Sequence, residues 1–275
     1  MLTDTPHVVI ESEESGVQLN LGDLWPHREL LYFLTLRDIK VRYKQTLMGA
    51  TWVVIQPLMT MLIFTLIFNK FARLNTKDIP YPLFAYSGLL LWTFFSNAVT
   101  SGTYSLVNNS HLVTKVYFPR FFIPAASVGA GLVDLGIASL LLIPLALYYG
   151  VRPTWTIALL PLFVLLAAML ALGTGMLVSA LTVKYRDLRH ALPFIMQFWM
   201  FASPVIYPTS IVPENWRWIL IANPMTGVIE GFRATLTGQQ IDWVFVAVSA
   251  ITGSVLLAVA FYVFRALEDT FADVI

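Results

Sequence analysis

The sequence predicts an all-α integral membrane protein with six transmembrane helices, an N-terminal amphipathic interfacial helix and two short re-entrant helices between spans five and six. Composition and run length lead to this fold class. Of the 275 residues, 57% are hydrophobic and only 12% are charged, whereas soluble proteins average about 25% charged. The apolar runs are long enough to cross a bilayer core of about 30 Å. Helices suit them because a helix satisfies its own backbone polar groups inside lipid.

Residues 1–24 form an acidic segment with five Asp or Glu residues and no Lys or Arg. A signal peptide has the opposite charge at its start, so we expect a solvated, flexible leader before a single transmembrane domain over 25–275. The absence of Cys excludes disulfides and thiolate metal sites. A net charge of +1 argues against nucleic acid as the main ligand, since phosphate binding needs clustered basic residues.

The interfacial helix is predicted over 25–48, directly before the first span. On a helical wheel one apolar stripe contains Tyr32, Leu36, Ile39, Tyr43 and Leu47, while Arg37, Lys40, Arg42 and Lys44 lie mostly away from it. This pattern is typical of a helix that lies along a membrane surface. No charged residue follows Lys44 until Lys70, which predicts the first span at about 50–69.

Further apolar runs predict spans at about 83–107, 122–149, 157–183, 192–206 and 243–264. On one side of these spans lie eleven basic residues, namely Arg28, Arg37, Lys40, Arg42, Lys44, Lys115, Arg120, Lys184, Arg186, Arg189 and Arg265. Six lie on the other side, namely Lys70, Arg73, Lys77, Arg152, Arg217 and Arg233. Because basic residues favour the cytoplasmic side, both termini are predicted to be cytoplasmic.

Two connections have distinctive patterns. In the basic connection 108–120, Asn108 to Ser110 can cap a short helix that Pro119 ends, presenting Leu112, Val113 and Tyr117 to a cytosolic partner. The long apolar connection after span five predicts two short helices within 214–236. Pro213 suits the start of the first, Asn223 caps the second, and Gly238 follows it. The side chains placed at the outer interface are Trp216, Trp218, Met225, Ile229 and Phe232, with Glu230 and Arg233 as an i,i+3 pair.

Prolines and glycines in the spans predict breaks and close contacts. Six prolines should kink or break helices, namely Pro57, Pro124, Pro144, Pro161, Pro193 and Pro204. The segment Gly173-Thr174-Gly175 should allow another helix to approach closely.

The sequence contains no nucleotide-binding, metalloprotease or hydrolase motif, and its four His residues are scattered. One carboxylate, Asp134, lies deep in a span. It is either a functional group such as a proton relay or a structural acid bonded to nearby Ser or Thr. The aromatic side chains of span five are Phe194, Phe198, Trp199, Phe201 and Tyr207. They either face a conduit, where rings stack on sugars, or pack against lipid and other helices.

With these features in place, the sequence resembles the permease subunits of polysaccharide-exporting ABC transporters. The resemblance rests on RDIKVRYKQTLMGATWVVIQPL (37–58), VKYRDLRHALPFIMQFWMFASPVIYP (183–208), NPMTGVIEGFRATL (223–236) and FADVI (271–275). It implies a homodimer in the bacterial inner membrane with two separate ATP-binding subunits. ATP and Mg would be bound by those subunits, and this chain would bind no cofactor or metal and would not be an enzyme.

The resemblance also implies roles for particular residues. The ATPase would dock on Arg37, Lys40, Arg42, Lys44, Asn109, His111, Leu112 and Lys115. An undecaprenyl-diphosphate-linked glycan would pass Gln56, Phe64, Phe194, Phe198, Trp199, Phe201 and Tyr207. An outer gate would contain Trp216, Trp218, Met225, Glu230 and Arg233.

Three alternatives remain open at this level. The chain could be an ABC exporter permease for an antibiotic or small lipid, an ion-coupled secondary transporter that uses Asp134, or a structural membrane scaffold.

Overall fold

The computed structural model describes residues 28–44, 49–71, 76, 79–116, 118–151, 154–268 and 271, and none of these forms a β-strand. The predicted leader 1–24 lies outside the described residues. The α-helices in this part of the chain are α1 (Arg28–Lys44), α2 (Thr51–Phe64), α3 (Tyr81–Asn108), α4 (Ser110–Lys115), α5 (Phe122–Ser139), α6 (Leu142–Tyr148), α7 (Leu160–Lys184), α8 (Leu188–Ala202), α9 (Arg217–Ala222), α10 (Pro224–Thr237) and α11 (Trp243–Glu268). A π-helical stretch, Thr65–Phe71, continues α2.

Five helical stretches of the described residues are long and apolar enough to cross a membrane, namely Thr51–Asn69, Tyr81–Asn108, Phe122–Tyr148, Trp155–Lys184 and Trp243–Glu268. They correspond to five of the six predicted spans, so the multi-pass helical prediction is confirmed. The remaining predicted span, 192–206, coincides with α8, which has 15 residues and rises only about 22 Å. A sixth crossing by α8 therefore stays a prediction.

Helix α1 forms where the amphipathic helix was expected, and several of its side chains pack on the bundle. Leu34 is buried, and Leu30 and Leu31 pack against the same apolar cluster. Tyr32, from the predicted apolar stripe, is instead exposed, and Leu47 lies outside the described residues. The packed face continues through Thr35 and Arg42, because both side chains touch α5. Tyr43, from the same stripe, also contacts α5 through Asp134, and the orientation of the stripe along a membrane surface stays a prediction.

The third span is broken in the middle, as the prolines predicted. Helix α5 ends at Ser139, and α6 begins at Leu142 after a tight turn. Pro144 explains the position, because a proline inside a helix cannot donate to the carbonyl four residues earlier and its ring clashes there. That carbonyl belongs to Leu140, within the turn. Pro57 and Pro193, in contrast, lie inside α2 and α8 without ending them.

Helix α3 is the centre of the bundle, and most of its side chains are buried. It packs against α2, α5, α7, α8 and α10. At its contact with α7, a methyl group on Gly102 would lie 3.5 Å from the Cα of Gly175. A methyl group on Gly173 would lie 3.1 Å from the backbone of Leu257 in α11. The predicted close approach at 173–175 is confirmed, and it involves two neighbouring helices.

Helices α9 and α10 form between α8 and α11, close to the predicted segment 214–236. Asn223 caps α10, because its side-chain oxygen accepts a hydrogen bond from the Met225 amide at 3.1 Å. Gly238 ends α10 with a φ of +70°, a conformation that glycine adopts without strain. The first short helix comprises a 3₁₀ turn at Glu214–Trp216 and then α9. We call α9, α10 and residues 203–213 the α10 end.

The opposite end of the bundle closes around a second apolar cluster. Phe271 packs edge to face on Phe264 at a centroid distance of 5.2 Å, beside Leu34, Val113 and Phe122. Glu268 joins this cluster to the α4–α5 connection, since its carboxylate accepts from the Arg120 amide at 2.8 Å. We call this region, with α1, α4 and the start of α8, the basic end.

Candidate transport groove

A polar cavity of about 270 Å³ lies beside α3, between α2 and α5. Hydroxyl and amide side chains line it, namely Gln56, Thr93, Asn97, Thr100 and Ser101, together with the rings of Trp52 and Phe94 and the charged groups of Arg42 and Asp134. Neutral hydroxyls and amides both donate and accept hydrogen bonds. The cavity therefore offers polar contacts beside the apolar side chains that complete its lining.

A second cavity of about 580 Å³ continues the first toward the basic end. The two share Arg42, Thr100 and Ser101, and the second extends to Tyr104 and Asn108. We call the two cavities together the polar groove. Its length runs from the last turn of α3 to the level of Ala138 in α5.

The polar groove exists because α3 carries a polar stripe. Thr93, Asn97, Thr100 or Ser101, Tyr104 and Asn108 recur every three or four residues, so they share one face of the helix. Of the groove's neutral polar residues, the sequence predicted only Gln56 for the path and only Asn109 for docking. The spacing of this stripe within an otherwise apolar span was the signal that could have revealed it.

Asp134 lies on the groove wall near the middle of the bundle. Three residues earlier, a methyl group on Gly131 would lie 3.3 Å from the Phe94 ring, halfway along α3. Arg42 donates a hydrogen bond to one oxygen of Asp134 and the Tyr43 hydroxyl donates to the other. The prediction of Ser or Thr partners was wrong, because the partners come from α1, outside the spans.

Tyr43 keeps its proton in this arrangement. Burial and then the hydrogen bond to Asp134 raise the pKa of its hydroxyl above the usual value. A phenol beside a carboxylate favours the neutral donor form, since ionising it would place two negative charges together. The hydroxyl is therefore a stable donor at neutral pH.

The predicted path residues fall into separate groups. Gln56 is exposed and lines the polar groove. Phe194, Phe198 and Phe201 are all exposed along one face of α8. Phe64 is half-buried and contacts Phe68, and Tyr207 is half-buried against the core.

Trp199 lies apart from the other rings of α8. Its ring packs edge to face on Phe95, with centroids 5.1 Å apart, and its indole nitrogen donates to Asn223 Oδ1 at 3.0 Å. Trp199 therefore joins α8 to α3 and to the cap of α10, whereas Phe198 on the next position is 68% exposed.

The predicted docking residues also differ in their exposure and contacts. Lys40, Lys44, His111 and Lys115 are exposed, while Leu112 is half-buried. Arg37 pairs with Asp38 at 2.8 Å, and Arg42 is turned toward Asp134. The amide of Asn109 donates to the Ser105 carbonyl at 2.7 Å rather than capping α4. Val113 was expected to face a partner but is buried, and Tyr117 lies outside the described residues.

The predicted gate residues do not form one surface. Trp216 and Trp218 are exposed, whereas Met225 and Arg233 are buried. The predicted pair is present, since Arg233 donates to Glu230 at 2.6 Å. Arg233 also donates to the carbonyls of Pro204 and Val205 at 3.2 and 3.1 Å. Its guanidinium lies 3.5 Å from the centre of the Phe84 ring.

A multi-pass helical bundle with a polar groove along its most buried helix defines a membrane permease. The chain belongs to the ABC-2 type transporter family, whose model matches residues 29–237. It is 31% identical over 254 residues to the O-antigen export system permease protein RfbA of Myxococcus xanthus, covering 91% of this chain and 97% of that protein. It is 28% identical over 267 residues to RfbA of Klebsiella pneumoniae, covering 94% and 98%.

A more distant relative is the polysialic acid transport protein KpsM of Escherichia coli. It is 23% identical over 247 residues, covering 86% of this chain and 92% of that protein. The resemblance to polysaccharide export permeases is therefore confirmed. As a permease of an ABC transporter, the chain is not itself an enzyme, and its family implies ATP-binding partner subunits.

Proposed function

We propose that this chain is the transmembrane subunit of an ATP-driven exporter that moves a lipid-linked polysaccharide of the O-antigen type from the cytoplasm across the bacterial inner membrane. The observation that carries this proposal is the polar groove. Its neutral hydroxyls, amides and rings suit a sugar chain, because a polymer in transit needs contacts that are favourable and individually weak. The match to O-antigen export permeases over almost their whole length supports the same cargo.

Two copies of the chain would form the complete passage. In a single copy α2 and α8 each pack on α3 without a substantial contact to each other among the described residues. Both present exposed apolar side chains beside α3, including Trp52 and Met59 on α2 and Phe194 and Phe198 on α8. Helix α2 borders both the polar groove and this face. A second copy facing α2 and α8 would therefore enclose a path between the two subunits that includes the groove, with aromatic side chains available to stack on sugars.

The ATP-binding subunits would dock at the basic end. Lys40 and Lys44 on α1 and His111 and Lys115 on α4 are exposed there, so they can meet acidic groups of a partner. The excess of basic residues on this side favours a cytoplasmic orientation for it, with both termini in the cytoplasm. ATP and Mg would bind to the partner subunits, whose closing would move the permease helices. At the opposite end, α9 and α10 would form the outer gate.

Asp134 argues against the ion-coupled alternative. Both of its oxygens accept hydrogen bonds from α1, and a proton relay would need a carboxylate that can change partners. An exporter of an antibiotic or small lipid shares the family, so the width of the path in the ATP-bound dimer separates the two cargoes. A path too narrow for a pyranose ring would favour the smaller cargo.

The direct test uses vesicles that contain this chain together with its ATP-binding subunits. We expect a lipid-linked glycan to move across the membrane only with ATP and Mg, and we expect deletion of the chain to abolish surface polysaccharide in cells. Transport by this chain alone would contradict the proposal. Normal surface polysaccharide after deletion would also contradict it.

A variant of the polar groove tests the path itself. Replacing Asn97 by Leu removes an exposed amide from the middle of the groove, so export should fall while the protein still assembles. Ser254→Leu on an exposed face of α11 is the matched control and should leave export unchanged. The measurement is the amount and length of surface glycan at equal protein level. Equal export by both variants would remove the groove from the path.

A further inference from the structure

Helix α1 is fastened to the third span at two points. At one point Arg42 and Tyr43 together hold both oxygens of Asp134. At the other, a methyl group on Gly129 would lie 3.0 Å from Thr35 Oγ1, so the two helices are in close contact. Residue numbers rise together from one contact to the other. Helices α1 and α5 therefore run side by side in the same direction.

The contact at Asp134 is costly to break at this depth. The Asp134 side chain is 15% exposed and lies level with the middle of α3. Separating it from Arg42 would leave two charges without partners inside the bundle, which costs far more than the same separation in water. We therefore expect Arg42 and Asp134 to stay paired whenever α1 is displaced.

Arg42 also belongs to the wall of the polar groove, since it borders both cavities. The opposite face of α1 carries exposed Lys40 and Lys44, and the first span follows α1 directly in sequence. The same helix thus has an exposed charged face, a face tied to the third span and a side chain in the groove. A force on its exposed face has a direct mechanical route to the groove.

We propose that Asp134 is a positioning residue for transport, which ties α1 to α5 so that the two helices move as one body. A push on α1 is then passed to the third span and to the groove wall, instead of being lost as α1 slides along α5. This inference rests on the proposed function, in which the ATP-binding subunits act on α1. In this role Asp134 keeps its hydrogen bonds to α1 throughout the cycle.

The absence of cysteine from the sequence allows a direct test. An ideal Cβ on Gly129 lies 3.7 Å from the Cβ of Thr35, within the range of natural disulfides. The double variant Thr35→Cys with Gly129→Cys should therefore form a disulfide that joins α1 to α5. In the complete transporter, we expect the oxidised variant to export glycan as well as its reduced form, because the two helices do not separate. Loss of export on oxidation, restored by a reductant, would overturn the inference.

The second arm removes the natural link. Asp134→Asn should leave assembly and ATP hydrolysis in place but lower the glycan exported per ATP by about tenfold, a typical size for the loss of one coupling interaction. Adding the Thr35–Gly129 disulfide should restore export, and a reductant should abolish the restoration. A purely structural role would instead lower protein level and ATP hydrolysis together. Export by Asp134→Asn at the parent level, or a defect that the disulfide cannot restore, would overturn the inference.

The outcomes separate this inference from the proposed function. If the parent complex moves no glycan, the proposed function fails whatever the variants do. If the parent exports glycan and the disulfide stops it, only the coupling through Asp134 fails. If Asp134→Asn does not insert, the disulfide in the parent still decides, because it needs no change at Asp134.

Discussion

Two sites in the bundle each hold an arginine against a carboxylate, and they do so in different surroundings. At the α10 end, the Arg233 side chain is 2% exposed and is held by Glu230, two backbone carbonyls and the Phe84 ring. Near the middle of the bundle, beside Asp134, the Arg42 side chain is 30% exposed and borders the polar groove. One arginine is sealed in protein and the other lies beside a cavity.

The glycines near the two sites also differ in how closely their neighbours pack. In α10, a methyl group on Gly227 would overlap the backbone of Phe245, and one on Gly231 would overlap the Phe163 ring. In α5, a methyl group on Gly136, two residues after Asp134, would meet nothing within 4 Å. The comparison indicates that α10 is tightly packed against α7 and α11 and would act as a rigid body in the outer gate, whereas α5 is tightly packed at Gly129 and Gly131 but open at Gly136.

The largest expected effect is at Arg233. Arg233→Met would leave the carbonyls of Pro204 and Val205 without their donor and Glu230 without its cation. Removing one partner of a buried ion pair costs about 3–5 kcal/mol, so thermal unfolding of the purified protein should occur at a much lower temperature.

The matched control for Arg233 is Arg217→Met. Arg217 is 56% exposed and lies 3.9 Å from Asp242, and an exposed pair of this kind contributes about 0–1 kcal/mol. Equal destabilisation by the two variants would mean that the interactions of buried Arg233 contribute no more to stability than the exposed pair of Arg217.

A smaller effect is expected from adding one methyl group at each site. Gly231→Ala should lower stability by about 1–3 kcal/mol, the usual cost of overpacking, because the new methyl group meets the Phe163 ring. Gly136→Ala should be neutral or stabilising by about 0.5–1 kcal/mol, since a helix-interior glycine gains from replacement by alanine where space allows. Denaturant unfolding of the two purified variants provides the measurement. A stable Gly231→Ala variant would show that α10 can yield, and the contrast between the two sites would be lost.

Much of the fold could be predicted because its signals are local. Apolar runs located five helices that are long and apolar enough to cross a membrane, and Asn223 and Gly238 marked the two ends of α10. Pro144, one of six prolines predicted to kink or break spans, accounts for the break in the third span. Each of these depends on the residues next to it in sequence.

The candidate site was less predictable because it depends on contacts between distant residues. Arg42 and Asp134 are 92 positions apart, and no spacing rule joins a helix before the first span to a carboxylate in the third. Phe198 and Trp199 are neighbouring aromatic residues, and only the position of α3 determines that the Trp199 ring packs against the core while the Phe198 ring is exposed. The polar stripe of α3, in contrast, could have been predicted from the sequence, because its polar residues recur every three or four positions.

The smallest expected effects concern two asparagines that precede helices at opposite ends of the bundle. Asn223 accepts from the Met225 amide and donates to Ser203 Oγ at 2.8 Å, so Asn223→Ala should lower stability by about 0.5–2 kcal/mol, as expected for a lost cap. Asn109 makes no such cap, and its amide only returns to the Ser105 carbonyl. Asn109→Ala should therefore change stability by less than about 0.5 kcal/mol. If Asn109 also contributes to docking, the same variant should weaken association with the ATP-binding subunits in a co-purification experiment. A destabilised Asn109→Ala variant with intact association would assign this asparagine to folding and would make the two ends alike at this position.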